Sequence, residues 1–153
     1  MFLGADPITI DEKGRFAVPA RYRVSLREQC NGQLVVVPHH RDPCLLILPR
    51  PGWMAFAEKL TAKAALSQAV RDMQRRYIAR ARDLEMDKQG RLLLPAPVRV
   101  DAGLNSKATL AGVGNSLELW DEAAWQAEQD RIAGSMAALA DEDLAQGLED
   151  LSF

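Results

Sequence analysis

One sixteen-residue stretch occurs twice in this chain, and that repetition constrains the fold more than any other feature. Ile8 to Arg23 (ITIDEKGRFAVPARYR) returns as Leu84 to Arg99 (LEMDKQGRLLLPAPVR). Aligned without gaps at an offset of 76, six positions are identical: Asp11/Asp87, Gly14/Gly90, Arg15/Arg91, Pro19/Pro95, Ala20/Ala96 and Arg23/Arg99. Ile8/Leu84, Ile10/Met86 and Val18/Leu94 differ but stay apolar. A repeat separated by half the chain length implies two copies of one supersecondary unit.

Each copy has a mechanical reading. Residues 8 to 10 alternate apolar, polar, apolar, which suits a strand with one buried face. Asp-Glu-Lys-Gly and Asp-Lys-Gln-Gly supply turn chemistry, with an Asp able to accept from nearby backbone N–H groups and a Gly free to take positive φ. A second strand follows, Arg15 to Val18 or Arg91 to Leu94. Pro-Ala ends it, because proline cannot donate to a ladder but fits the first turn of a helix. The expectation is a β-hairpin with basic residues at its tip, leading into a short helix.

The first half continues with a helix over Ala20 to Gln29, strands over Gln33 to Val37 and Cys44 to Leu48, and a helix over Trp53 to Leu60. The second half repeats this order with strands over Ala108 to Ala111 and Ser116 to Trp120 and a helix from Glu122. Between them, Leu66, Val70, Met73, Tyr77 and Ala81 form one apolar stripe, predicting a connecting helix over Ala65 to Arg82. Its other faces carry Arg71, Arg75, Arg76, Arg80 and Arg82, which reads as a structural connector with some electrostatic contribution. The expected fold is α+β: two pseudo-symmetric β-hairpin/α/β/β/α units interlocked in one small β-barrel. Trp53, Phe56, Leu60 and Trp125 would cover that barrel or a neighbouring protomer.

The net charge of −2 over 153 residues conceals a strong asymmetry. From Glu118 onward there are ten acidic residues and one basic; before it stand 18 basic and 11 acidic, so the body is +7 and the tail −9. A basic body with an acidic tail suits a polyanion-binding protein, although both could be solvated faces. No apolar run reaches the length of a membrane span. The first residues lack a basic region followed by an apolar stretch, which reads as no secretory signal. Cys30 and Cys44 form no CxxC pattern, which fits a reducing cytoplasm.

At the tips, Lys13, Arg15, Lys88 and Arg91 offer donors and permanent positive charge. An arginine fork matches phosphate, or guanine O6 and N7, in a bidentate arrangement. A two-stranded ribbon or its turn fits the major groove of duplex DNA. Asp11 and Asp87 cannot favourably approach phosphate, so they are expected to cap the turn or orient the arginine of the same hairpin. An Asp–Arg pair that only pins the hairpin would look the same in sequence.

Enzymatic readings find little to stand on. His39 and His40 are adjacent beside Pro38, with no acidic or cysteine partner at metal-ligand spacing. There is no Gly-rich phosphate loop and no nucleophile elbow, and the tip aspartates sit beside Lys and Arg, which keep them ionised. No catalytic residue, metal or cofactor is expected.

The two motif copies closely resemble the paired motifs of the MraZ family of bacterial transcriptional regulators, which carry two tandem SpoVT/AbrB-like domains with an Asp-x-x-x-Arg element in each. The opening Met-Phe-x-Gly and the segment from Ala102-Gly-Leu to Trp120-Asp121 are also similar. Two departures are Leu3, where the family usually has Arg, and Pro97 inside the second short helix. The resemblance implies a double-split AbrB-like barrel with domain 1 at 5–52, a helical connector at 53–80, domain 2 at 81–126 and an acidic tail at 127–153. It implies DNA contacts by Lys13, Gly14, Arg15, Lys88, Gln89, Gly90 and Arg91, with Asp11 and Asp87 orienting the tips. It further implies a ring-shaped homo-oligomer that reads short direct repeats in double-stranded DNA and represses its own division and cell-wall operon, in the cytoplasm and at the nucleoid. Multiple copies also suit the physics, since a few phosphate contacts alone bind weakly. An oligomeric protein-interaction module of the antitoxin type is the alternative.

Overall fold

In the computed structural model, which describes residues 1–138, the first half runs β1 (Phe2–Thr9), β2 (Arg15–Ala17), α1 (Ala20–Cys30), β3 (Gln33–Pro38), β4 (Cys44–Pro49) and α2 (Arg50–Ala62). Then come α3 (Gln68–Met73), a π turn (Gln74–Ile78), β5 (Arg82–Glu85), β6 (Arg91–Leu93), α4 (Ala96–Asp101), β7 (Lys107–Gly114), β8 (Leu117–Asp121) and α5 (Glu122–Ala138). The chain divides into two units, the first Met1–Glu122 and the second beginning at Ala123. The part of the expected acidic tail beyond Ala138 lies outside the described residues.

Six strands form one antiparallel sheet in the order β1-β7-β8-β4-β3-β5, and β2 pairs with β6 in a separate two-stranded ribbon. Two expectations change here. The ladders close no barrel, because β1 and β5 remain the edges of an open sheet. Nor does either copy form a hairpin: β1 pairs with β7 over its whole length, from Phe2↔Gly114 to Thr9↔Lys107, and β2 pairs with β6 of the other copy. The turn chemistry at Asp11 and Asp87 marks a reversal but does not specify which strand lies alongside. That is decided by burial: Phe16 and Leu92, opposite one another in the ribbon, are both buried.

The sheet is covered on two faces, which explains the unbroken apolar run Leu34–Val37. Leu34 and Val36 join the main core with Phe16, Leu92, Tyr22, Leu26 and Val98. Val35 and Val37 point the other way, to Trp53, Leu60 and Tyr77. Trp53 and Leu60 thus cover the sheet within this chain, with Phe56 half-exposed and edge-on to Tyr77 at 5.4 Å between ring centroids.

The connecting helix is shorter and less regular than its periodicity suggests. Ser67 caps α3 by accepting from the Val70 N–H at 3.1 Å, leaving Leu66 outside and 90% exposed. The wider π turn then shifts the register so that Tyr77 and Ile78 both pack on the sheet. Pro97 is accommodated because it lies in the first turn of α4, where a missing N–H leaves no intrahelical bond unmade.

Candidate nucleic-acid interface

The two loops after β1 and β5 share one hydrogen-bond scheme. In the first, Asp11 Oδ1 accepts from the backbone N–H of Lys13 (3.0 Å) and of Arg15 (2.8 Å), while Oδ2 accepts from Arg15 Nε (2.9 Å). In the second, Asp87 Oδ1 accepts from the N–H of Gln89 and of Arg91 (both 2.9 Å), and Oδ2 from Arg91 Nε (2.9 Å). Each loop closes with an Asp N–H to Arg carbonyl bond of 2.9 Å and a Gly N–H to Asp carbonyl bond of 3.0 Å. The aspartate therefore bonds both the backbone N–H groups of its turn and the guanidinium of the arginine.

Both carboxyls lie below the ordinary carboxylate value of 3.8, chiefly because the arginine backbone N–H favours the charged form; the guanidinium hydrogen bond adds to it and desolvation opposes. Only Nε of each arginine is used, so the Nη groups of Arg15 and Arg91 make no hydrogen bond with a described residue. Lys13, Glu12, Lys88 and Gln89 are exposed, and their side chains are likewise unpartnered among the described residues.

Ribbon register brings the two arginines together. Arg15 lies opposite Leu93, and Arg91 opposite Ala17. Since Phe16 and Leu92 face the core, Arg15, Ala17, Arg91 and Leu93 share the outward face. The arginines occupy diagonal positions, which on one face of an antiparallel pair lie about 7–8 Å apart. Two cationic forks expected on separate hairpins thus stand side by side on one narrow ribbon, flanked by the two loops.

Each loop is locked by residues of the other copy. Val18 N–H donates to the Gly90 carbonyl (2.9 Å) and Leu94 N–H to the Gly14 carbonyl (2.8 Å). Gly14 has φ +93°, and a Cβ there would lie 2.5 Å from the Leu94 carbonyl oxygen and 2.9 Å from Arg99 Nε. Gly90 has φ +77°, and its Cβ would meet Arg23 Nε at 2.5 Å. These glycines are required by backbone conformation and by the close passage of an arginine from the opposite copy. Arg27 Nη2 adds a bond to the Asp87 carbonyl at 3.0 Å.

Sequence reasoning assigned Arg23, Arg27 and Arg99 no role. The signal for the first and last was available, because Arg23 and Arg99 are among the six identical repeat positions. Arg27 had no such signal, its counterpart being Gly103. The paired histidines are engaged locally: His39 Nδ1 accepts from the Asp42 N–H (2.9 Å), and His40 Nδ1 lies 2.7 Å from the Tyr77 hydroxyl. Among the described residues, no three His, Cys, Asp or Glu side chains are grouped to hold a metal ion, and no helix is long and apolar enough to cross a membrane.

A family profile described as "MraZ protein, putative antitoxin-like" matches residues 1–77 and again 77–146. The chain is 42% identical over 155 aligned positions to a protein of Idiomarina loihiensis named "Transcriptional regulator MraZ", covering 100% of both. A protein of the same name from Nitrosomonas europaea is also 42% identical with full coverage of both. One from Methylococcus capsulatus is 46% identical over 125 positions, 82% of each chain.

Proposed function

This chain belongs to the MraZ family, and from that premise we propose that it is a sequence-specific DNA-binding regulator of transcription whose reading surface is the outer face of the β2/β6 ribbon with its two flanking loops. The observation that carries this is the pair of arginines, each held by an aspartate through Nε with neither Nη group bonded to a described residue. A guanidinium fixed in that way is preorganised for a bidentate acceptor such as phosphate or the guanine edge. Lys13, Lys88 and Gln89 supply further donors at the rim, and Gly14 and Gly90 let the loops bend closely around the ribbon.

The two repeat copies act as the cores of pseudo-symmetric halves, domain 1 at 5–52 and domain 2 at 81–126, joined by the 53–80 connector. The reciprocal Val18–Gly90 and Leu94–Gly14 bonds support this reading. The protein assembles as a ring-shaped homo-oligomer and represses its own operon by binding short direct repeats in the promoter, in the cytoplasm and at the nucleoid. Oligomerisation supplies the affinity that a single ribbon lacks, since each further contact is intramolecular.

The test is fluorescence anisotropy on a labelled duplex from upstream of the chain's own gene, over a salt series, against a scrambled duplex. Tight, salt-steep binding with preference for the upstream duplex is expected. R15A and R91A should each lose that binding while keeping the oligomer size in gel filtration. Equal weak binding to both duplexes would reject the reading and favour the interaction-module alternative.

A further inference from the structure

The two loops share a backbone but not a charge. Positions 12 and 88 are equivalent in the repeat, and they are Glu and Lys. Both follow the turn aspartate directly and are exposed, and the N–H of the next residue bonds the aspartate Oδ1 in each case. Identical bonding places Glu12 and Lys88 at corresponding points on either side of the ribbon. The formal charge of Asp11 to Arg15 is zero, and that of Asp87 to Arg91 is +1.

A strictly symmetric pair of loops would present the same group to both ends of a site. Here the groups have opposite sign, so they cannot both serve phosphate. Lys88 is suited to phosphate as a compact cation with three donors. Glu12 is acceptor-only and repelled by phosphate, but the major groove offers it a donor in the exocyclic amino group of cytosine. Neither side chain has a partner among the described residues, so neither is needed to hold its loop.

We propose that Glu12 is a specificity-determining residue that accepts a hydrogen bond from a cytosine amino group, while Lys88 at the matching position contacts phosphate, so that one protomer sits on DNA in a single orientation. The inference rests on the DNA-binding reading above. It gives the pseudo-symmetric ribbon a direction that one carboxylate helps to set.

The experiment compares wild type, E12A and K88A on the upstream and scrambled duplexes over a salt series, with circular dichroism and gel filtration confirming fold and assembly. E12A should lower the upstream-to-scrambled affinity ratio by on the order of tenfold, the scale of losing one base contact, because it removes discrimination rather than attraction. K88A should weaken both duplexes alike and reduce the salt slope by about one per ribbon engaged. An unchanged ratio in E12A, or a K88A effect on the ratio without a change in slope, would overturn the proposal. A wild type that shows no preference for the upstream duplex would instead refute the DNA-binding reading itself.

Discussion

Replacing Gly14 by alanine tests whether the two copies are locked together at the loops. The residue has φ +93°, so any L side chain carries a conformational cost of about 1–2 kcal/mol. The new Cβ would also stand 2.5 Å from the Leu94 carbonyl oxygen, a backbone atom that no rotamer change can move. Relief requires opening the seam where Leu94 N–H donates to the Gly14 carbonyl at 2.8 Å, and a weakened hydrogen bond adds about 0.5–1.5 kcal/mol. G14A should therefore be destabilised by about 1.5–3.5 kcal/mol. Gly90 has the same sign of φ, but its nearest neighbours are side-chain atoms of Arg23, which can give way; G90A should cost less. Gly103, at φ +60° with nothing within 4 Å, isolates the conformational cost alone. Urea denaturation at one protein concentration, with slopes checked for constancy, should rank the losses G14A, then G90A, then G103A. If G14A were no worse than G103A, the seam would carry no strain and the argument for cross-copy locking would fail.

Other perturbations follow the same geometry. Asp11 and Asp87 have folded-state values depressed below 3.8, so the stability they contribute is complete above that value and is lost as pH falls through the folded value. The urea midpoint should therefore decline on acidification in that range, and the D11N/D87N double variant should decline less. W53A removes a buried indole from the face formed by Val35, Val37 and Tyr77 and should cost about 3–5 kcal/mol by denaturation. R27A removes the bond to the Asp87 carbonyl; footprinting should show loosened contacts at the second loop with those of the first unchanged.

What the sequence made legible is the set of elements, and what it withheld is their pairing. The Asp–Gly–Arg turns and the apolar strand runs were visible because each depends on residues within a few positions of one another, and the repeat because those local patterns recur 76 residues apart. The Asp11–Arg15 and Asp87–Arg91 pairs follow from that local chemistry. The β2–β6 ribbon does not, since it depends on Phe16 and Leu92 being buried opposite each other across the repeat. Arg99 beside Gly14 is a contact of the same kind. The connector failed for another reason: helical periodicity assumes one turn length, and the π turn at Gln74–Ile78 changes it.

Pairing β2 with β6 also orders events during synthesis. When the first copy leaves the ribosome, Phe16 has no opposite strand, because Leu92 lies 76 residues downstream. The loop that joins them must close before the ribbon exists, and such distant pairings form late. A nascent chain therefore carries a first arginine fork without the strand that sets its partner, and a polypeptide interrupted in the connector never acquires the paired surface. Only a completed second copy brings the two arginines onto one surface.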